Sequence, residues 1–165
     1  MSLYDLLLGG LKKKPSQSLN HTLGKLITGY VDPYEQIDAG YYDGSMVNYD
    51  AIYCAARKGR LHIVKYLVSC SDAKNDANIL NDAMCEAAAF GHLHIVKYLV
   101  SCGANNWNRC MHHAAAEGHF NIVIYLDNCG ANDWNGSMYY AMRDGYLHLV
   151  DYFKQKIQDE KNLLG

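Results

Sequence analysis

Ala55-Ala56-Arg57-Lys58-Gly59-Arg60-Leu61-His62-Ile63-Val64-Lys65-Tyr66-Leu67-Val68-Ser69-Cys70 returns as Ala87-Ala88-Ala89-Phe90-Gly91-His92-Leu93-His94-Ile95-Val96-Lys97-Tyr98-Leu99-Val100-Ser101-Cys102. It returns again from Ala114 to Cys129, and a looser fourth copy runs from Ala141 past Phe153. Gly59, Gly91, Gly118 and Gly145 mark the register, with steps of 32, 27 and 27 residues. A fixed period of this size is the signature of a stacked repeat array. The five additional residues of the first step fit Ser71-Asp72-Ala73-Lys74-Asn75, a polar insertion. After it, Asp76-Ala77-Asn78-Ile79-Leu80-Asn81 rejoins the register of Gly103-Ala104-Asn105-Asn106-Trp107-Asn108 and Gly130-Ala131-Asn132-Asp133-Trp134-Asn135.

Each unit reads as a pair of helices. The first is expected to begin near Asn81, Asn108 or Asn135, a residue type that caps helix starts by accepting a backbone N–H bond. Alanine pairs such as Ala87-Ala88 and Ala114-Ala115 follow, small enough to let a neighbouring helix come close. The register glycine ends the helix, because Gly takes the left-handed conformation cheaply. The second helix carries Leu93, Val96 and Leu99 at three-residue spacing, with Ile95 and Val100 widening the apolar stripe. Gly103 and Gly130 close their copies, whereas Ser71 stands there in the first. One hairpin cannot bury both of its faces, so neighbours must stack.

Ala-Ala-x-x-Gly-His-Leu-x-Ile-Val-x-x-Leu followed by Gly-Ala-Asn resembles the ankyrin repeat, over roughly residues 50 to 155. The resemblance implies an all-α solenoid of stacked helical hairpins. The usual unit of about 33 residues opens its helix with Thr-Pro-Leu-His; no copy here has that tetrapeptide, and Met111-His112 keeps only its end approximately. The residues missing from the short units fall where ankyrin repeats project a β-hairpin finger. Short inter-repeat loops are therefore expected after Cys102 and Cys129. The compact units with Asn-Trp-Asn or Asp-Trp-Asn look similar to ankyrin-like proteins of large DNA viruses of amoebae. Residues 1–49 are expected to form an N-terminal cap with room for one degenerate repeat, and 50–165 four repeats. The polar stretch Lys154-Gln155-Lys156-Ile157-Gln158-Asp159-Glu160-Lys161 suits a C-terminal capping helix.

Bulk properties agree with a globular chain. Half of the 165 residues are hydrophobic and 19% are charged, enough to bury a core. A formal net charge of −2 offers no basic footprint for nucleic acid or anionic membrane; Lys12-Lys13-Lys14 reads as a solvated cluster. In Met1-Ser2-Leu3-Tyr4-Asp5-Leu6-Leu7-Leu8 the positive charge follows the apolar stretch and Asp5 interrupts it, which is not the pattern of a secretory leader. The expectation is a cytoplasmic protein, or one of the host cytoplasm if viral. The six cysteines are then expected as free thiols, and the Asn20 and Asn135 glycosylation patterns as coincidental.

Eight histidines and six cysteines invite a metal or redox reading, but the register opposes it. Cys70, Cys102 and Cys129 share one repeat position, and stacked helices about 8–10 Å apart keep such thiols beyond the ~7 Å a disulfide spans. His62, His94 and His148 likewise share a position. His92 and His119 match the ankyrin Gly-His position, where the resemblance implies a structural hydrogen bond. Cys85, Cys110 and His112 are the best zinc set that can be assembled, and no zinc-protease helix, phosphate loop or nucleophile elbow occurs. No catalytic residue, metal or cofactor is expected.

The informative positions are those that vary while their surroundings repeat: Arg57 and Lys58, Ala89 and Phe90, Ala116 and Glu117, Arg143 and Asp144. They end the first helices, and by resemblance to ankyrin proteins that is the concave surface on which partners dock. Trp107 and Trp134 share the inter-unit loop, with Leu80 in their register. They read either as packing between units or as binding anchors, since Trp is enriched at hot spots. The expected function is a non-catalytic, monomeric protein-binding module, an intracellular adaptor or decoy with no nucleic-acid, membrane or small-molecule partner. The alternatives are a structural or assembly component, for example of a virus particle, and more remotely a metal- or thiol-dependent enzyme.

Overall fold

The computed structural model describes residues 49–70 and 76–164. The expected N-terminal cap and the Ser71–Asn75 insertion lie outside them, apart from Tyr49, which opens the first helix. Among the described residues eight helices and no strand occur: α1 Tyr49–Arg57, α2 Leu61–Cys70, α3 Ala77–Ala89, α4 Leu93–Ser101, α5 Trp107–Ala116, α6 Phe120–Cys129, α7 Trp134–Arg143 and α8 Leu147–Leu164. Odd-numbered helices pack side by side in chain order, each also against the even-numbered helix that follows it. The chain is an all-α solenoid of helical hairpins, and α4–α5 and α6–α7 are joined by loops of 102–106 and 130–133 in place of fingers.

Register glycines end the first helices in one way. Gly59, Gly91, Gly118 and Gly145 have φ of 73°, 78°, 75° and 85°, the left-handed region that costs other residues strain. Arg60 N–H then donates to Ala55 O at 2.9 Å and Gly59 N–H to Ala56 O at 3.2 Å, a pairing that recurs at His92, His119 and Tyr146. These crossed bonds satisfy carbonyls the helix end would otherwise leave open. The second helices bury one stripe: Ile95, Val96 and Leu99 in α4, with Leu67, Leu126 and Phe153 in register with Leu99, all but inaccessible. Leu93 and Val100, expected on that stripe, are only partly buried at its edges.

Three kinds of contact lock neighbouring units together. A Cβ added to Gly59 would lie 2.7 Å from the His92 ring, and one on Gly91 would lie 2.8 Å from that of His119; at Gly118 it would collide with Tyr146. The same rings tie units by hydrogen bonds: His92 Nε2 donates to Arg57 O at 2.8 Å and His119 Nε2 to Ala89 O at 3.0 Å. The third contact corrects the expected role of the asparagines. The helix caps are Asp76, Asn106 and Asp133, so Asn81, Asn108 and Asn135 lie inside the first turns or deeper. The side chains of Asn81 and Asn108 have a different task. Asn81 Oδ1 accepts from the consecutive amides of Asn105 and Asn106 at 2.7 and 2.9 Å. Asn108 Oδ1 does the same for Asn132 and Asp133 at 2.8 and 3.0 Å. Asn81 is therefore buried but satisfied. The first unit after the insertion also departs from its register-mates, because Ala77–Ile79 is already helical where 104–106 is loop.

Cys85 and Cys110 form a disulfide between α3 and α5, with Cα atoms 4.4 Å apart. This overturns the expectation of six free thiols. The spacing argument holds for cysteines at one repeat position, but Cys85 shares its register with His112 and Cys110 with Ala83. They meet on the diagonal between two first helices that alanines bring close. Cys54, Cys102 and Cys129 are unpaired.

Farther along, Asp127 joins three helices. Its carboxylate accepts from Trp134 Nε1 and Tyr152 Oη, both at 2.8 Å, and meets Lys156 Nζ at 2.6 Å. Desolvation alone would raise its pKa, but the three donors outweigh that and hold it below the ordinary carboxylate value.

Three outcomes follow from this packing. Leu99→Ala should cost about 2–5 kcal/mol in chemical denaturation; an unchanged midpoint would show the buried face to be misassigned. Gly118→Ala and Gly145→Ala both impose a left-handed alanine, worth about 1–3 kcal/mol, but only Gly118 has a ring against it. Gly118→Ala should be the more damaging, and equal losses would remove the ring from the locking contact. In protein purified without reductant, denatured thiol titration should find two of the six cysteines unreactive until reduction, and six reactive groups at once would break the Cys85–Cys110 assignment.

Candidate partner-binding surface

Because odd-numbered helices run side by side, their outward faces form one continuous surface. Every helix turn recurs after about four residues, so the variable helix-end positions continue backward along each helix. Phe90 leads back to Glu86 and Asp82, Glu117 to His113 and Arg109, and Asp144 to Tyr140. These earlier residues were not picked out from the repeat comparison. The signal was present as four-residue spacing from the positions that were.

The charged groups of this surface are largely spent on one another, two pairs across a unit boundary and one within a unit. Arg57 Nε donates to Glu86 at 3.1 Å, and Arg109 pairs with Asp82. Arg143 grips Asp144 with two bonds of 2.9 and 2.7 Å. That grip, above all its hydrogen bonding, lowers the Asp144 pKa and raises that of Arg143. Desolvation first, and then Arg109, disfavour the charged form of His113. Exposed pairs of this kind add little stability, about 0–1 kcal/mol each. They fix side-chain positions and leave few charges of either sign to dominate the surface.

Phe90 is the exception. It ends α3 as its C-cap, remains 49% exposed, and has the Arg57 guanidinium 5.1 Å over its ring centroid. A second stacked pair, Arg143 over Tyr140 at 5.2 Å, lies two units along. Lys58 and Glu117 are exposed beside their glycines, whereas Ala89 and Ala116 are half-buried. The helix-end residues picked from the sequence thus occupy corresponding places along one surface.

Trp107 and Trp134 are not brought to this surface's variable row. Both pack partly buried against the core. Trp107 donates to Ala104 O at 3.2 Å and lies against Gly130, while the Trp134 N–H is held by Asp127. The set considered for zinc is otherwise engaged, since Cys85 and Cys110 are bonded to each other and His112 Nε2 lies 2.9 Å from Asp133. Among the described residues no group of three or more His, Cys, Asp or Glu is placed to hold a metal ion, and no helix is long and apolar enough to cross a membrane.

A family model described as ankyrin repeats in three copies matches residues 25–110 and again residues 85–163. No curated protein matches the chain.

Proposed function

The chain belongs to the ankyrin-repeat family, and on that premise we propose that it is an adaptor or decoy that occupies a partner protein through the concave surface at the ends of its first helices. Ankyrin repeats generally mediate protein–protein interaction and are typically non-catalytic. The observation that carries the reading is Phe90. A large aromatic side chain, half exposed, stands at a position where the other units place Lys58, Glu117 and Asp144. Its neighbours Arg57 and Glu86 are paired in place, so a partner meets a preformed apolar spot inside a rim of fixed charges. Binding energy concentrates in such aromatic and arginine anchors, and a surrounding polar rim serves to exclude water. The partner in this reading presents an apolar side chain to Phe90 and polar groups that satisfy the paired rim without breaking it.

Phe90→Ala should weaken binding to the native partner by about 2 kcal/mol or more, measured by titration calorimetry, with circular dichroism showing an intact fold. Lys58→Glu should mainly slow association and change its salt dependence. His62 and His94 are exposed on the second helices, and their alanine variants should bind as the parent does. Loss of binding in the histidine variants with retention in Phe90→Ala would move the working face to the second helices.

A further inference from the structure

Between α3 and α5, Gly91 receives the His119 ring, Asn81 holds the amides of Asn105 and Asn106, and Arg109 pairs with Asp82. Between α5 and α7, Gly118 receives Tyr146, and Asn108 holds the amides of Asn132 and Asp133. The ring and clamp contacts are complete at both joints, and the second stands on them with no cross-link. Cys85 and Cys110 add a covalent bond to the first. The matching positions of the second joint hold His112 and Ser137, and His112 turns to Asp133 instead.

A bond laid over a joint that is already complete is a constraint the fold can do without. The reduced pair also has its place. Both side chains are buried in the core, and Cys110 Sγ lies 3.7 Å from Asn81 O, within reach of a thiol S–H donor. That carbonyl belongs to the residue whose side chain clamps the following loop. When made, the bond closes a ring from 85 to 110 that takes in the end of α3, all of α4 and the loop 102–106, and α3 and α5 cannot part.

We propose that Cys85–Cys110 is a reversible redox latch on this joint, worked by exchange with a small thiol of the glutathione kind. In reduction a glutathione thiolate attacks the Cys85 sulfur, and the S–S electron pair leaves on Cys110, which takes up a proton and donates it to Asn81 O as a hydrogen bond. A second glutathione thiolate attacks the mixed disulfide and releases the Cys85 thiolate, which is then protonated, together with glutathione disulfide. The chain thereby gains two electrons and two protons. Oxidation is the reverse, with glutathione disulfide as the oxidant. Cys85 is 4% exposed and Cys110 not at all, so exchange waits on a local parting of α3 from α5. Cys85 adjoins Glu86 and Cys110 adjoins Arg109. The latch therefore lies directly beneath the surface proposed to meet a partner, and sets how firmly two of its helices are held together.

The test incubates the full chain in glutathione buffers of rising reduced-to-oxidised ratio, traps the thiols by alkylation and weighs the products. The oxidised fraction of this pair should fall from nearly all to nearly none as the ratio rises, and return when it is reversed, with circular dichroism unchanged. On reduction, amide hydrogen exchange should quicken about tenfold at Asn105 and Asn106 and stay as it was at Asn132 and Asp133. Cys85→Ala should exchange at the reduced rate in every buffer. These readouts belong to the joint alone, so their failure would leave the partner-binding reading to its own test. A pair that stays oxidised in the native chain at every ratio, a pair that never oxidises, a chain that unfolds on reduction, exchange at Asn105 and Asn106 that is equal in both states, or a Cys85→Ala chain that still responds to the buffer would each overturn the proposal.

Discussion

Where α1, α3 and α5 end, a hydrogen atom on a glycine Cα leaves the space into which the next unit's ring fits. The same glycine must be left-handed to close its own helix, so one residue serves two constraints that no other side chain meets together. The ring then hydrogen-bonds back to the carbonyl two residues before that glycine, as His92 does to Arg57 and His119 to Ala89. Unit orientation is set there. The alanines behind it permit close approach, and the asparagine clamp fixes the loops that follow. With loops as short as 130–133, the asparagine side chains on the first helices hold the following loop by its backbone amides.

A stack held by nearest-neighbour contacts has ends as well as faces, and the two raise different physical problems. Its outward face is free to vary because it bears little of the packing. Accordingly it holds exposed ion pairs of small net worth and a few exposed aromatics. Its end must either be made polar or be covered. Here the carboxylate of Asp127 anchors α8 firmly through Lys156 and Tyr152, yet the neighbouring α7 keeps Tyr139 and Met142 in solvent. The last helix is thus well tied on without shielding the surface beside it.

Much of the fold was legible in the chain because repetition multiplies a weak local signal. One glycine after a short alanine-bearing stretch means little, whereas four in register with a following apolar stripe fix helix, break and helix. The short loops were legible for the same reason, as residues missing from a known period. The candidate surface was legible in part. Variation against a repeated background identified Phe90 and its register-mates, but Glu86, Asp82 and Arg109 entered only when helix geometry placed them one and two turns back. Asn81 and Asn108 were noticed and given the wrong task. An asparagine near a helix start ordinarily caps that helix, and only the approach of the next loop shows that its acceptor is used across the boundary.

The sequence by itself determined the architecture, the helix-ending glycines and the buried stripe, since each follows from period, local conformational preference and apolar spacing. Tertiary structure decided what depends on the offset between neighbouring units. Cys85 and Cys110 sit at different repeat positions, and their Cα atoms come to 4.4 Å only because stacked helices are displaced along one another. The indole N–H of Trp134 finds its acceptor on Asp127, in the preceding helix pair, for the same kind of reason. A one-dimensional repeat states which positions are equivalent; the distance between non-equivalent positions in adjacent units is a property of the packing, and these contacts are made across it.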